Sequence, residues 1–471
     1  KIDLKVLSPN VQLQFDSHHP YPSNNGGIVP AKGLSSLTTF GVSIRSSFLS
    51  LQLRPEIHAS QNKEYDGFAE SHFDVIWARR YVFWNRIDTP EQHGTGPRYD
   101  LRWGQSHALI LFAKHFGIGI STENLWWGPG RRNSLLMSNN ASGFPHLTFR
   151  TISPVETTIG AFETQIVAGR LDASGYNPPS TDRSQRRNSP FFVPKRDDWR
   201  YFNGIVFSYQ PIWIKGLSLG FARSIQLYSE YAKETNTYFP IAINLFRKND
   251  RNRDEEQIDQ VLSVFSRWAW EDAKAEIYFE YGRNDASWHL RDFLLSPDHS
   301  RAYIFGFTKL FPIKSKFIEV GYEHTEMAQT INYLIRDAIS WYMHGGVRHG
   351  YTNRGEVLGA SIGPGSNMDH ISVSYIDGVR KAGLVFERIS NQNDFYYRAW
   401  DDINDFRRYW IDYTIGVTGS WDIGNFWISG NVLYTRSMNY QWETDEPNTG
   451  LFVPGNDVSN LHVRCNLTYM F

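Results

Sequence analysis

The sequence predicts an all-β fold: a closed antiparallel transmembrane β-barrel of about eighteen strands, with long extracellular loops and short periplasmic turns. Segments in which apolar and polar side chains alternate recur in closely spaced pairs along the chain. Short and long connections follow one another in turn, as they do when the short turns of a barrel lie at one rim and its long loops at the other. We expect residues 1–471 to form a single barrel domain.

The composition excludes several classes of protein. The chain has 471 residues, with 48 Lys and Arg against 49 Asp and Glu and a net charge of -1. No run approaches the roughly 18 apolar residues of a membrane-spanning helix. Balanced charge argues against nucleic acid as a partner, because phosphate binding needs clustered basic residues. The single cysteine, Cys465, forbids an internal disulfide.

The clearest hairpin pairs Tyr409 to Ser420 with Asn425 to Arg436, with a tight turn predicted at 421–424. Apolar residues occupy every second position of its first strand, so the two faces of that strand differ. Other short breaks lie at 45–48, 114–116, 153–156, 210–214, 270–272, 311–313 and 377–379. Long loops are expected near 17–37, 59–105, 123–145, 170–200, 229–257, 284–300, 328–367, 391–408 and 438–459.

The last strand alternates in the same way from Leu461 to Phe471 and ends the chain on an aromatic residue. Such an ending resembles the signal by which outer-membrane barrels are recognised for insertion. We therefore expect an integral protein of the outer membrane of a Gram-negative bacterium, in contact with outer-membrane lipid and lipopolysaccharide.

Carboxylates in the middle of strands lie opposite apolar side chains. In a soluble sheet they would cover the outside and the apolar face would pack on a core. A barrel with lipid outside and a polar lumen inside is favoured, because the chain has no long helical patterns that could cover so many apolar strand faces. Tryptophans beside short turns also suit an interfacial girdle: Trp213, Trp268, Trp270, Trp421 and Trp427. The predicted lumen charge network, most simply a set of structural cross-braces, comprises Glu276, Glu280, Glu319, Glu323 and Glu387 with Lys274, Lys381 and Arg464.

One segment departs from the strand pattern. Between Tyr65 and Asp88, aromatic residues recur every three or four positions, which is helical spacing. A short helix here could plug the lumen or cap the outer mouth, so residues 59–105 are a candidate insertion; an irregular aromatic loop is the alternative.

The sequence Trp126-Trp127-Gly128-Pro129-Gly130 predicts a sharp, rigid turn. Proline fixes one backbone angle and glycine permits positive φ. A rigid indole can stack on a sugar ring, while polar neighbours bind hydroxyls or uronic carboxylates. We therefore take as candidate polysaccharide-binding residues Trp126, Trp127, Glu123, Asn124, Arg131 and Arg132. The alternative is that the tryptophans only wedge the loop against the barrel wall.

A second candidate is the basic loop with Arg183, Arg186 and Arg187, followed by Lys195 and Arg196. Repeated positive charge in one loop suits an anionic polysaccharide. It equally suits a solvated loop that bridges lipopolysaccharide phosphates.

The segment from Ser121 through Gly130 to Leu136 resembles the Trp-Trp-Gly-Pro-Gly signature of the Wzi capsule-assembly family, and the tract from Tyr342 to Asn367 is similar to that family's glycine-rich region. The resemblance implies an eighteen-stranded outer-membrane barrel that holds capsular polysaccharide to the cell surface as a lectin, without catalysis. It also implies a helical segment ahead of the barrel, whereas this chain enters a strand pattern at Val11 to Phe15.

We expect no enzyme, no cofactor and no metal, because the histidines lack ligand spacing and no phosphate loop or nucleophile elbow is present. Sugar hydrolysis would need two lumen carboxylates about 5 to 10 Å apart beside a glycosidic bond, a distance the sequence does not define. Capsular or another surface polysaccharide is the expected partner. The alternatives are a passive diffusion channel, since barrels of about this size can leave an aqueous lumen, and an accessory subunit bound to other outer-membrane proteins.

Overall fold

The computed structural model describes residues 2–179, 191–234, 258–284, 290–401, 405–444 and 456–471. Of its 23 described strand segments, 21 make one closed antiparallel sheet of eighteen barrel strands, because three of the strands are each interrupted once. The other two, Thr352–Asn353 and Glu356–Val357, pair with each other in a long loop. The predicted fold class is confirmed. Among the described residues, no helix is long and apolar enough to cross a membrane.

The barrel strands, numbered here in chain order, are β1 (Asp3–Asp16), β2 (Gly33–Arg45), β3 (Leu49–Leu53 and Glu56–Ser60), β4 (Arg98–Arg102 and His107–Phe112), β5 (Phe116–Ser121), β6 (His146–Thr151 and Val155–Thr157), β7 (Gly160–Leu171), β8 (Arg200–Pro211), β9 (Leu217–Tyr228), β10 (Asp259–Trp270), β11 (Ala275–Asn284), β12 (Arg301–Ile313), β13 (Lys316–Glu326), β14 (Asn367–Asp377), β15 (Arg380–Ser390), β16 (Ile411–Ile423), β17 (Phe426–Met438) and β18 (Val458–Tyr469). In the described parts of the long loops lie four short α-helices: α1 (Asp74–Trp84), α2 (Ser229–Glu234), α3 (Leu290–Leu295) and α4 (Asn393–Trp400).

The sheet closes where β1 pairs with β18, in a register that runs from Asn10 opposite Thr468 to Asp16 opposite His462. The Asn10 side-chain amide reinforces this seam by donating to the Thr468 hydroxyl at 2.7 Å. Closure leaves no strand edge at the seam, which a barrel in lipid requires because lipid offers no hydrogen-bond partners. At the rim of the short turns, β1 begins and β18 ends.

Several turns lie later than predicted. The β12–β13 turn is at 314–315 rather than 311–313, because the two strands stay paired up to Ile313 and Lys316 and Lys314 adopts a positive φ of 55°. The β16–β17 turn is at 424–425 rather than 421–424, because Gly424 adopts a positive φ of 58° and lets the strands pair up to Ile423 and Phe426. The break at 153–156 is an interruption inside β6, since Pro154 has no N–H to donate. That hairpin turns at 158–159, between Thr157 and Gly160.

The outer wall presents an apolar belt. Outward side chains such as Leu384 and Val417 are 61% and 52% exposed, as expected for residues that would meet lipid. The tryptophans predicted for the girdle lie beside the short turns, and Trp213, the most exposed, is 65% exposed. Trp268 and Trp270 have ring centroids 4.8 Å apart, so they form one aromatic patch at this rim.

The lumen is not uniformly polar, contrary to expectation. Toward the long-loop rim it is filled by an apolar core to which the barrel wall contributes residues such as Phe202 and Ile304. The loops 122–145 and 327–366 contribute residues such as Leu135, Leu136 and Trp341, all 1% exposed or less. The polar part lies toward the short turns, because the long loops carry apolar side chains into the outer half.

The aromatic segment forms helix α1, which begins at Asp74 rather than at Tyr65. It packs against α4 at the outer mouth, with Trp77 and Trp84 buried in the same apolar core. The loops therefore cover the mouth of the barrel, while the segment that reaches deepest is 122–145.

Arg80 of α1 lies among aromatic rings of this cap. Its guanidinium carbon is 4.7 Å from the centroid of the Trp84 ring and 5.0 Å from that of Phe395. It donates to the Gln392 side chain at 2.5 Å and faces the Glu91 carboxylate at 3.8 Å. Burial lowers the pKa of Arg80 to about 10, so it stays charged at neutral pH.

Replacing Arg80 by alanine should loosen the outer loops. The change leaves the Glu91 carboxylate buried without its cation, which costs about 3 kcal/mol. We expect faster proteolysis of the loop 61–97 in folded, detergent-purified protein. The double variant Arg80→Met/Glu91→Gln, which removes both charges, should recover most of the protection; equal protection of wild type and Arg80→Ala would contradict this account.

Candidate functional site

The loop 122–145 leaves β5 and enters the lumen instead of rising from the rim. The backbone N–H of Trp127 donates to the Met137 carbonyl at 3.0 Å, which pairs the two arms of the loop. Gly128 has a φ of 138°, and a Cβ there would lie 2.7 Å from a Glu280 carboxylate oxygen. Glycine is therefore required where the loop approaches the wall.

The tip of the loop is held by one carboxylate. Glu323, on β13, accepts the backbone N–H groups of Arg131 at 2.7 Å, Arg132 at 2.9 Å and Asn133 at 2.7 Å. It also accepts the Tyr278 hydroxyl at 2.9 Å. Three consecutive backbone donors and one hydroxyl compensate the burial of this charge.

The two arginine side chains at the tip bind further carboxylates of the wall. Arg131 lies 2.5 Å from Glu276 and 3.7 Å from Glu319. Arg132 donates to Glu387 at 3.0 Å. Because Glu276 and Glu319 follow closely on short turns, the loop spans most of the height of the barrel.

The remaining predicted members of the lumen network divide into two groups. Lys381 contacts Glu319 at 2.6 Å, and Glu280 accepts the backbone N–H of Leu135 at 3.3 Å. Lys274, in contrast, is exposed in the turn 271–274 and lies outside the lumen. Arg464 faces the lumen but donates to the Asn25 amide oxygen at 3.0 Å, with no ion pair among the described residues.

Glu123 and Asn124 fix the base of the loop. Glu123 contacts His107 at 2.8 Å and Arg150 at 2.9 Å. Burial alone would raise the pKa of Glu123, but these two partners hold it at about 2. The Asn124 side chain bonds Gln105 at 2.9 Å and the carbonyl of Ala141 at 3.0 Å.

The two tryptophans have different surroundings. Trp127 is 2% exposed and donates its indole N–H to Gln165 at 3.1 Å, so its rings are covered by protein rather than available to a sugar. Trp126 is 38% exposed and lines a lumen cavity of about 570 Å³ that lies on the short-turn side of the loop. For Trp127 the wedge alternative describes the geometry, and Trp126 points away from the outer surface.

The basic loop is described only in part. Arg183, Arg186 and Arg187 lie outside the described residues. Lys195 donates to the carbonyl of Trp84 at 2.6 Å, and burial lowers its pKa to about 8. Arg196 forms an ion pair with Glu230.

A groove on the outer surface was not predicted. It has a volume of about 190 Å³ and lies where α1, α4 and the loop 327–366 meet. Its charged and tyrosine lining residues are Arg79, Arg86, Tyr333, Tyr397, Arg398 and Asp401. A signal was present: Arg79, Val82 and Arg86 recur at three and four residues, on the face of the helical segment opposite the aromatic one.

The cations of this groove differ in their partners. Arg398 binds Asp337 at 2.5 Å and Gln329 at 2.8 Å, so it is held in place. The Arg86 guanidinium makes no hydrogen bond or ion pair with any described residue. Tyr397 is 36% exposed beside it. An uncommitted guanidinium next to an exposed phenol ring is suited to an acidic sugar.

The buried histidines of the described outer loops include His349, His93 and His19. Burial, reinforced by Arg200, lowers the pKa of His349 to about 2. Burial lowers that of His93 to about 4 and that of His19 to about 3. All three are therefore neutral in the folded loops. Among the described residues, no group of three or more His, Cys, Asp or Glu side chains is arranged to hold a metal ion.

A family model for "Capsule assembly protein Wzi" matches residues 16–423, which is most of the chain. Among solved structures, Wzi of Escherichia coli superposes with a TM-score of 0.62 at 13% identity, covering 98% of this chain and 84% of that one. That protein is described as an outer membrane protein involved in group 1 capsule assembly and as a carbohydrate-binding β-barrel. OccAB2 of Acinetobacter baumannii superposes at 0.45, with 10% identity and coverage of 98% and 97%. Comparison with curated proteins returns no match.

Glu323→Ala should release the tip of the loop. The change leaves three backbone N–H groups without an acceptor inside the barrel, at a cost of about 3 kcal/mol or more. We expect trypsin to cleave after Arg131 or Arg132 in the variant and not in folded wild type, as mapped by mass spectrometry. Glu163→Ala, at another lumen-facing glutamate, is the control; protection of the tip in Glu323→Ala would show that the carboxylate does not hold it.

The outer loops should loosen as the pH falls below 6.5. Above that value the histidines are neutral in both states. Below pH 6.5, protons bind at His349, His93 and His19 only when the loops open, because the pKa of each is depressed in the folded loops. Each further pH unit therefore favours opening by about 1.4 kcal/mol per histidine. Hydrogen exchange of residues 342–357, corrected for intrinsic rates, should be faster at pH 5.5 than at pH 7. His349→Gln should reduce this difference; no difference in wild type would refute the account.

Proposed function

The chain belongs to the family of Wzi capsule assembly proteins, and from this premise we propose that it is an outer-membrane protein that binds capsular polysaccharide at its outer rim. The carbohydrate binding described for the Escherichia coli protein supports this proposal. So does the apolar outer belt, which suits a barrel embedded in lipid with its long loops outside the cell.

The groove among α1, α4 and the loop 327–366 is the proposed polysaccharide site. The observation that carries it is the free guanidinium of Arg86 beside the exposed ring of Tyr397. Arg79 and Arg398 add positive charge, so uronic or otherwise acidic sugar units are favoured over neutral ones. The small volume suits a single unit of a polymer that crosses the mouth.

We further propose that binding is non-catalytic. A glycosidase needs an acid and a base that face an open site. Here Glu276 and Glu387 are held by arginines, and Glu323 is fully occupied by backbone donors. These three described carboxylates therefore brace the loop instead of facing an open site.

The diffusion-channel alternative is less well supported. The apolar core and the loop 122–145 occupy the lumen from the outer mouth nearly to the short turns. Binding of the basic loop to lipopolysaccharide or to another outer-membrane protein is compatible with polysaccharide binding at the outer rim.

Arg86→Ala/Tyr397→Ala should weaken binding of the purified barrel to isolated acidic capsular polysaccharide at least tenfold. Tenfold weaker binding corresponds to a loss of about 1.4 kcal/mol of binding free energy, which is a modest loss when a guanidinium and a ring are both removed. Arg291→Ala/Tyr176→Ala removes an exposed arginine and an exposed tyrosine elsewhere on the outer loops and should bind like wild type. Higher salt should weaken wild-type binding. Equal binding by both double variants would exclude the groove.

Deleting the gene should leave polymer synthesis intact but release polymer into the medium. Complementation with wild type should restore retention, whereas the groove variant should not. Unchanged capsule retention in the deletion strain would overturn the proposed function.

A further inference from the structure

The barrel wall is incomplete on one side. The β5–β6 pairing ends at Ser121 opposite His146, and the β6–β7 pairing ends at His146 opposite Gly169. Beyond this level the outer segment of β4, Arg98–Arg102, pairs with β3 but has no described strand on its other edge. A gap therefore separates the outer parts of β4 and β7.

The gap is closed from the lumen side. The Thr122 backbone N–H donates to the Ser106 carbonyl at 2.9 Å, and its hydroxyl donates to the Gly104 carbonyl at 2.7 Å. The Arg170 backbone N–H donates to the Pro145 carbonyl at 3.0 Å. The gap is thus a groove of about 710 Å³ on the outer wall rather than a hole through it.

The groove is apolar and continuous with the outer belt. Ile120 and Leu147, paired across β5 and β6 on its floor, are 61% and 49% exposed. Trp103, at its β4 side, is 67% exposed. Since the outward face of this wall meets lipid, an occupant would arrive from the bilayer rather than from water.

A cation stands at the outer end of the groove. Arg170 is near the end of β7, and its side chain is 56% exposed. Its guanidinium lies 5.5 Å from the Trp199 ring centroid and contacts Asp172 at 2.7 Å. Positive charge above an apolar groove matches a lipid whose phosphate lies at the surface and whose chain lies below it.

We propose that this groove binds an acyl chain of a phosphorylated outer-leaflet lipid, with the lipid phosphate at Arg170. The volume lies in the range of small-molecule sites, roughly 300 to 1,000 Å³. The site is separate from the polysaccharide groove, so the two proposals stand or fall independently.

The test uses the full chain, folded in detergent, with bis-phosphorylated lipid A as the probe and native mass spectrometry as the readout. Ile120→Trp/Leu147→Trp fills the floor of the groove. Val373→Trp/Leu384→Trp makes the same kind of change at a directly paired, lipid-facing site on β14 and β15 and is the matched control. Folding is verified by the heat-dependent shift of the barrel in gel electrophoresis.

Wild type and the control should each retain one lipid A molecule after a delipidating wash, and the groove variant should retain at least fivefold less. Arg170→Ala should lose affinity for lipid A but not for its dephosphorylated form. Equal retention by the folded groove variant and the control, or no retention by wild type, would overturn the proposal. An unchanged preference for the phosphorylated lipid in Arg170→Ala would remove Arg170 from the site.

Discussion

The rest of the structure depends on the binding of three consecutive backbone N–H groups by the carboxylate of Glu323 inside the barrel. A carboxylate at this depth is stable only with donors around it, and a loop tip inside a lumen is stable only with acceptors. Each compensates the other. The arginine pairs with Glu276 and Glu387 then fix the direction of the tip.

The other parts of the plug and the outer cap pack successively on this anchored loop tip. The loop 122–145 supplies Leu135 and Leu136 to the apolar core, and the loop 327–366 packs on it. The helices α1 and α4 close the mouth above that core, and the proposed polysaccharide groove lies between them and the loop 327–366. The same inward turn at Thr122 shortens β5 and so produces the gap in the wall. One departure from regular barrel geometry thus accounts for the plug, the support of the outer surface and the lipid-facing groove.

Much of the fold could be predicted from the sequence, because alternation and loop length are local properties. The strands, the order of short and long connections and the lumen face of the glutamates follow from them. The partners of those glutamates do not, since Arg131 lies 145 residues from Glu276 in the chain and no local pattern joins them. For the same reason, the sequence makes Trp127 a candidate for stacking on a sugar, whereas its contacts in the structure show it to be a buried wedge. The Arg79 and Arg86 face of the helical segment was visible in the spacing, but the groove appears only when α4 and the loop 327–366 are brought beside it.

The central claim is that the barrel is closed by the anchored loop and presents a binding surface rather than a pore. Single-channel conductance in planar bilayers tests it most directly, with wild type compared with a variant in which residues 126–137 are replaced by a short Gly-Ser linker. The account predicts no stable conductance for wild type and ohmic openings for the linker variant. Steady conductance by folded wild type, unchanged in the variant, would contradict it.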